Sequence, residues 1–474
     1  LSKIELVYYE VGKEHQEQKI SLAKPSSNFE QFYYTFPSGL ALESGKQYAF
    51  YFQVTDNDAV HHGKAIKSQI FQQVLLNENQ LKNKDLESQQ SLIKDLDKSL
   101  ERAKQQKESL EEINQNQKEK SSLNFNDQNQ IKDYLKKQEQ QEQLMQKFSK
   151  ELKENLDKGD KDDKLNQLLQ ERLERQEQQA KKNQQLLEEL NKVADKIKKE
   201  ELTKKLEELG KKQQNSERSL EQLLELTKRY YVTEKASQLA RNLEELAKKQ
   251  EELSKKNKEE NSSIKQQQLN KAFNELSKEM DGLKNDNGKL KKPIDLNLDT
   301  NKKEAIKEDQ NEALDELQKQ ENSESKSTPE SDQNNASKKQ KSAAQKMKEM
   351  SEQLSSSSSS SSEGSSVAED AEMLRQILDN LIIFSFKQES LFDKLSAKQD
   401  QDQTQYSQTV RDQNELRGLF EHVDDSLFAL SLRQAELSEF VNEQITEVYY
   451  NIDKSLETMA DGQLFQGISH QKYV

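Results

Sequence analysis

Apolar positions along most of this chain recur every three or four residues, the interval that lines them up on one face of an α-helix. Leu186, Leu190, Val193, Ile197, Leu202, Leu206 and Leu209 follow one another in this way, and Leu239, Leu243, Leu246 and Leu253 resume the spacing. The stretch from 77 to 290 that carries them is rich in Leu, Gln, Lys and Glu and contains no proline. A seam this narrow is satisfied only by lying against another helix. The pattern therefore predicts a helical rod over 77–283, as long coiled coil or as antiparallel segments folded back on one another. Interruptions are expected at Ser121 to Asn126, near Gly159, at Gly210 to Ser216, near Val232 and Thr233, and at Lys258 to Ser263, with Asn126 or Asp127 capping the second helix.

Ahead of the rod the period is two. IELVYYEV, FEQFYYTF, KQYAFYFQVTD and KAIKSQIFQQVLL have strand propensity and are separated by turn residues such as Pro37 to Gly39 and Ser44 with Gly45. They predict a partial β-sandwich over 1–76, immunoglobulin- or fibronectin-like, with its earlier strands upstream of Leu1. Behind the rod, 284–366 loses the seam and carries Gly288, Pro293, Pro329 and a serine run from Ser355 to Ser362. That composition predicts a low-complexity, mostly disordered linker, with two helical patches (Ala305 to Leu317, Ala343 to Leu354) ordering only against a partner. Wider stripes then return, with Ile377 and Leu381 in one and Val441 and Ile452 in another. They predict a C-terminal helical module over 367–462, closed as a bundle or used for self-association, followed by a tail over 463–474. The fold class expected is mainly α.

Composition narrows this further. Only 31% of residues are hydrophobic, 34% are charged and there is no Trp, against roughly 45–50% apolar in ordinary globular domains. One large compact core is excluded. The net charge is -14, with acidic and basic residues intermixed, which argues against nucleic acid as a partner. Absence of cysteine rules out disulfides and thiolate zinc sites but fits either redox compartment. The chain opens at Leu1 in mid-pattern, without an initiator Met or a membrane-spanning run, and reads as a fragment whose targeting or anchoring segment lies upstream.

Candidate chemistry is sparse. Asp56 and Asp58, with His61 and His62 nearby, form a weak Ca²⁺ candidate, because acidic oxygens in a strand-end loop suit that ion. An Asx-rich turn is the simpler reading, since the ion takes six or more oxygens and two carboxylates are local. No GxxxxGK[ST] loop occurs, and the rod's carboxylates lie on solvated faces rather than in a shaped pocket. His422 is assigned no role, and the Tyr pairs 8–9, 33–34, 230–231 and 449–450 read as packing residues. No catalytic residue and no cofactor is expected. The functional candidates are seam positions: Leu190, Leu246, Ile377, Leu381, Val441 and Ile452.

YAFYFQVTDNDAVHHGKAIKSQIF, NFNDQNQIKDYLKKQEQQEQLMQKF, KKQKSAAQKMKEMSEQL, EDAEMLRQILDNLIIFSFKQESLFDKL and DDSLFALSLRQAELSEFVNEQITEVYYNIDKSLETMA occur in that order. The succession resembles a family of large, Gln-rich, uncharacterised envelope proteins of Bacteroidota, described as a domain of unknown function. The resemblance spans nearly the whole chain, and its C-terminal stretch is the specific part. It implies amino-terminal transmembrane helices and β domains upstream, with this portion on the periplasmic side of the inner membrane. It implies no activity. The chain departs from the family where serine replaces a Met- and Gln-rich tract after KKQKSAAQKMKEMSEQL. The expected role is a non-enzymatic scaffold or spacer holding a protein partner or another copy of itself. The rival is a holdase-like module that captures unfolded or secreted chains.

Overall fold

The structure is a computed structural model that describes residues 2–24, 31–57, 64–120, 124–159, 163–193, 199–257, 259–322, 330–360, 367–396, 403–432, 434, 437 and 439–474. The chain divides into two compact units, Leu1–Ser88 and Gln89–Val474. The first is built on β1 (Lys3–Glu10), β2 (Gln18–Ala23), β3 (Gln47–Thr55), β4 (Ala65–Lys67) and β5 (Phe71–Val74). They form one antiparallel sheet in the order β2-β1-β3, with β4 and β5 sharing the far edge of β3. Leu6 lies opposite Phe52 and Tyr8 opposite Phe50, so side chains of period two share one face. Tyr34, Phe36, Leu40 and Leu42 cover that face, with Phe36 stacked on Phe50 at 4.1 Å between centroids.

Two strand expectations change here. The described part of FEQFYYTF, 31–36, joins no ladder; its alternate aromatics Phe32, Tyr34 and Phe36 imitate strand periodicity but serve an irregular segment lying on the sheet. β2 was not expected, because QKISLA shows little alternation; it is recruited by pairing with β1, Ile20 opposite Leu6. Among the described residues the layer facing the sheet is irregular chain rather than a second sheet.

The second unit is helical and begins within α1 (Glu78–Glu119), followed by α2 (Phe125–Leu156), α3 (Lys164–Val193), α4 (Lys199–Lys255), α5 (Ser263–Asn287), α6 (Thr300–Asn322), α7 (Glu330–Ser360), α8 (Val367–Ser396), α9 (Gln403–Ser431), α10 (Glu439–Ala460) and α11 (Leu464–Gln471). Its spine is α4, whose 57 residues span about 85 Å at 1.5 Å each. The amino-terminal half of α4 joins α1, α2 and α3 in one antiparallel bundle with cores at Leu96, Leu152 and Leu224 and at Leu135, Leu190 and Leu206. The carboxyl-terminal half joins α5, α6 and α7 in a second, α7 closing the ring against α4. The last four helices make a third around Ile377, Phe420 and Ile452, and α10 docks on α4.

α4 runs unbroken through Gly210–Ser216 and Val232–Thr233, where breaks were expected. Interior glycine costs about 1 kcal/mol relative to alanine. Leu209, Gln213, Tyr230 and Val232 are all buried around these positions, and that burial outweighs the local preference. At Gly210 an added Cβ would stand 3.5 Å from Leu110 Cδ2, so the residue suits the approach of α1. The second helix starts earlier than expected, because Asn124 is its cap and Asp127 the reciprocating third residue of a capping box.

The largest departure is 284–366. In place of a mostly disordered linker, 300–322 and 330–360 are helix, and 323–329 and 361–366 lie outside the described residues. Ile306, Ala313 and Leu317 of α6 and Ala343, Met347, Met350 and Leu354 of α7 are buried. The partners these patches required lie in the same chain, α7 packing on α4 and α6 on α5 and α7. Small alanines let the helices approach closely, so few large side chains are needed. The segment 463–474, expected as a tail, contains α11. Gly467 permits its tight seat, as an added Cβ there would overlap the Met459 side chain, and Ile468 and Val474 pack on the C-terminal core.

Candidate functional site

Glutamine is a helix former whose amide can both donate and accept, so a Gln-rich seam can pair with itself inside a bundle. In the second bundle this produces a layer of six buried amides from α4, α5, α6, α7 and the α4–α5 loop. Gln250 donates to Gln266 Oε1 (2.8 Å) and Gln266 returns a bond to Gln250 (3.0 Å) and gives one to Asn270 (2.7 Å). Gln310 donates to Gln250 (3.0 Å), while Gln340 donates to Gln266 (2.9 Å) and exchanges bonds with Asn261. Such a layer is satisfied in one register only, so it fixes how the four helices align. Asp309 adds a clamp between α6 and α7, accepting from Ser342 (2.7 Å) and Lys346 (2.6 Å). Burial pushes its carboxyl up, but those bonds and the charges of Lys346 and Lys339 outweigh it and hold the pKa below the usual value.

A different polar cluster sits in the first bundle. Glu142 of α2 is 2% exposed and its Oε1 accepts from Gln138 Nε2 and Asn183 Nδ2, both at 3.1 Å. Its Oε2, Gln138 Oε1 and Asn183 Oδ1 are buried acceptors without a donor. Burial pushes the carboxyl up to about 7 against these two bonds. A third junction ties the bundles together: Arg172 donates to Gln222 Oε1 (2.8 Å) and to the Leu437 carbonyl (3.0 Å), and Gln222 bonds Ser431 (2.7 Å) and Asn442.

Where α1, α4, α9 and α10 meet, an open groove of about 490 Å³ is lined by charged and aromatic side chains. Its cations are matched within the fold. Lys454 pairs with Glu207 (2.6 Å) and Glu457 (3.1 Å), Arg417 with Asp453 (2.7 Å), and Arg218 with Asp424. Lys211 stands 3.3 Å over the Tyr450 ring and pairs with Glu447 (3.0 Å). Burial would lower the Lys454 ammonium, yet Glu207 and Glu457 raise it on balance, so it is held protonated and is no general base. This is an ionic joint between helices.

An exposed apolar row lies on α8. Ile377, Phe384, Leu391 and Leu395 point into the C-terminal core, while Leu374, Leu378, Ile382 and Phe386, four residues apart, are 46%, 56%, 46% and 66% exposed on another face, with Ile383 at its margin. Scattered exposed apolar residues are ordinary; a contiguous row on a helix already filling its core is not. No family model, curated protein or solved structure matches the chain. Geometry is therefore the guide to role.

The predicted seam residues lie inside the chain's own cores: Leu190 and Ile452 are fully buried, Leu246 and Ile377 nearly so, and Leu381 and Val441 pack half-buried against the C-terminal core. They hold helices of one molecule together rather than presenting a face to a second. Asp56 Oδ1 accepts the backbone N–H of Lys64, eight residues on, at 2.7 Å. Asp58, His61 and His62 lie outside the described residues. Among the described residues no group of three metal-ligating side chains converges, and no helix is long and apolar enough to cross a membrane. The Gln and Asn layers went unread in the sequence. Their signal was present, in Gln250, Gln266 and Gln310 at apolar-face spacing, but low complexity disguised it.

Proposed function

We propose that the chain is a non-enzymatic scaffold or spacer of the cell envelope that joins proteins through helical surfaces. The observation that carries this is the row Leu374, Leu378, Ile382 and Phe386, left in water by a helix whose other face completes a core. Two bundles sharing one long helix, with a third docked on it and buried amides fixing register, suit a body that holds its ends apart. Placement on the periplasmic side of the inner membrane, with anchoring helices upstream, rests on the family resemblance. For the finer architecture we propose that the β unit derives from an immunoglobulin-like sandwich and that coiled-coil packing runs along α4. Antiparallel pairing of β1 with β3 and the 3.5-residue recurrence along α4 support this.

A photo-crosslinking amino acid at position 378 in producing cells tests the role. One or a few discrete adducts support a scaffold, and absence of adducts overturns it. The rival reading, capture of unfolded or secreted chains, also draws on the α8 row and would give a heterogeneous smear. The mobile arm it relied on is instead packed helix, α7 against α4 and α6 against α5 and α7.

A further inference from the structure

We propose that the α8–α11 module is a self-contained body docked reversibly on α4, and that neutral salt releases it with both sides still folded. The inference stands on packing and holds whether or not the chain is a scaffold. The C-terminal core, from Met373 to Val474, is built by α8–α11 and the chain beside them, whereas the cores of the first bundle draw on α1–α4. Backbone packing between the two is carried chiefly by α10 against α4. Among the described residues no apolar core is shared across that contact. Two bodies that each own a core and meet through polar groups move relative to one another unless something holds them.

What holds them here is charge. From the module, Glu447 of α10, Asp424 of α9 and Glu369 of α8 present carboxylates; Lys211 and Arg218 of α4 and Lys292 beyond α5 meet them, Lys211 at 3.0 Å and Lys292 at 3.3 Å. Lys454 with Glu207 (2.6 Å) runs the other way. The α4 cations also lie over rings of the module, Lys211 over Tyr450 (3.3 Å) and Arg218 over Phe428 (5.1 Å). Between these pairs sit neutral contacts: Thr446 donates to Asn215 (2.7 Å), Gln222 to Ser431 (2.7 Å) and Arg172 to the Leu437 carbonyl (3.0 Å). On release each neutral group exchanges its partner for water at little net loss, so these contacts set the docked orientation more than its strength. The ion pairs are open to screening. The side chains of Lys211 and Glu447 are 24% and 48% exposed and those of Lys292 and Glu369 41% and 63%, and the range of a charge falls from about 10 Å at 0.1 M salt to about 3 Å at 1 M.

The chain lacks cysteine, so a labelled pair reports the joint on the full chain. Lys204→Cys on α4 and Glu415→Cys on α9, both exposed, carry spin labels for a pulsed distance measurement. One narrow distance is expected at about 0.05 M sodium chloride, giving way to a longer and broader distribution by about 1 M. Helicity by circular dichroism and amide protection in α8–α11 should stay constant over the same range. At the salt concentration that half-releases the parent, Lys211→Glu should shift the docked-to-released ratio about fivefold toward release, and adding Glu447→Lys should bring it back. A distance unchanged up to about 1 M salt overturns the proposal. So does a loss of helicity or of α8–α11 protection that accompanies the lengthening, since the module would then be unfolding and not undocking. An identical salt midpoint in the parent, Lys211→Glu and the charge-exchanged pair overturns the assignment of the joint to these charges. None of these outcomes bears on adducts at position 378, so the scaffold reading is tested separately.

Discussion

Replacing Glu142 with Gln should stabilise the first bundle above neutral pH, and the size of the effect follows from the cluster's geometry. The Glu142 carboxyl titrates near 4.5 in an unfolded chain and near 7 in the fold, raised by burial. Below pH 4.5 it is protonated in both states and costs nothing. Between 4.5 and 7 the unfolded chain gives up the proton first, so stability falls as pH rises, and above about 7 the loss is complete. At about 1.4 kcal/mol per pH unit the interval amounts to about 3 kcal/mol. Gln keeps an acceptor for Asn183 and Gln138 and adds a donor to a cluster where three acceptor oxygens have none. The test is amide hydrogen exchange in α2 and α3, with urea unfolding alongside, for both proteins from pH 4 to 8; comparing the pair cancels the other carboxylates. The difference should be near zero at pH 4 and grow to about 3 kcal/mol at pH 8. Equal protection at pH 8, or a less stable Gln variant, would refute the assignment of a buried, proton-hungry carboxyl.

Other substitutions probe the remaining supports. Gln250→Leu removes the acceptor used by Gln266 and Gln310, and at about 1–3 kcal/mol per orphaned group should speed exchange in α5, α6 and α7 while leaving α2 and α3 unchanged. Ile452→Asp places an unpaired carboxylate at a fully buried position and should cost more than about 4 kcal/mol, seen as loss of C-terminal helicity by circular dichroism. Leu190→Lys should do the same to the core at Leu135 and Leu206. For Asp309 the sign is opposite to that of Glu142: its folded pKa is depressed, so its contribution is present above pH 3.8 and fades as pH falls through the folded value. Asp309→Asn should weaken α6–α7 protection at pH 7, by a margin that shrinks as the pH is taken below 3.8.

Helix existence was legible along the rod because Leu190, Leu202, Leu206 and Leu209 are spaced by the helical repeat and nothing competes with it. Helix continuity was less so. Gly210 and Val232 disfavour helix locally, and only the burial of their neighbours overrides that preference. Segment 284–366 was misread for the opposite reason. Much of its burial is delivered by Ala343, Ala344, Ser351 and Gln340, residues that a hydrophobicity reading counts as small or polar. Sheet order lay beyond reach, since the partner of each strand depends on pairing that a run such as QKISLA does not announce.

The low apolar fraction acquires a physical sense from the same residues. A bundle made of Leu alone aligns its helices in several registers of similar energy, whereas buried amides that must find donors and acceptors make all but one register costly. Here the amide layer at Gln250 and Gln266, the Arg172–Gln222 junction and the Gln388–Gln413–Gln471 chain in the C-terminal core fall one in each bundle or between bundles. They give up some apolar burial in exchange for alignment. The three-bundle unit depends on that exchange, because an error of one turn displaces a helix end by about 5.4 Å, and a scaffold's spacing would drift with it. The outward row of α8 carries no such polar residue among Leu374, Leu378, Ile382 and Phe386. Its apolar side chains stay in water although the opposite face of α8 completes a core.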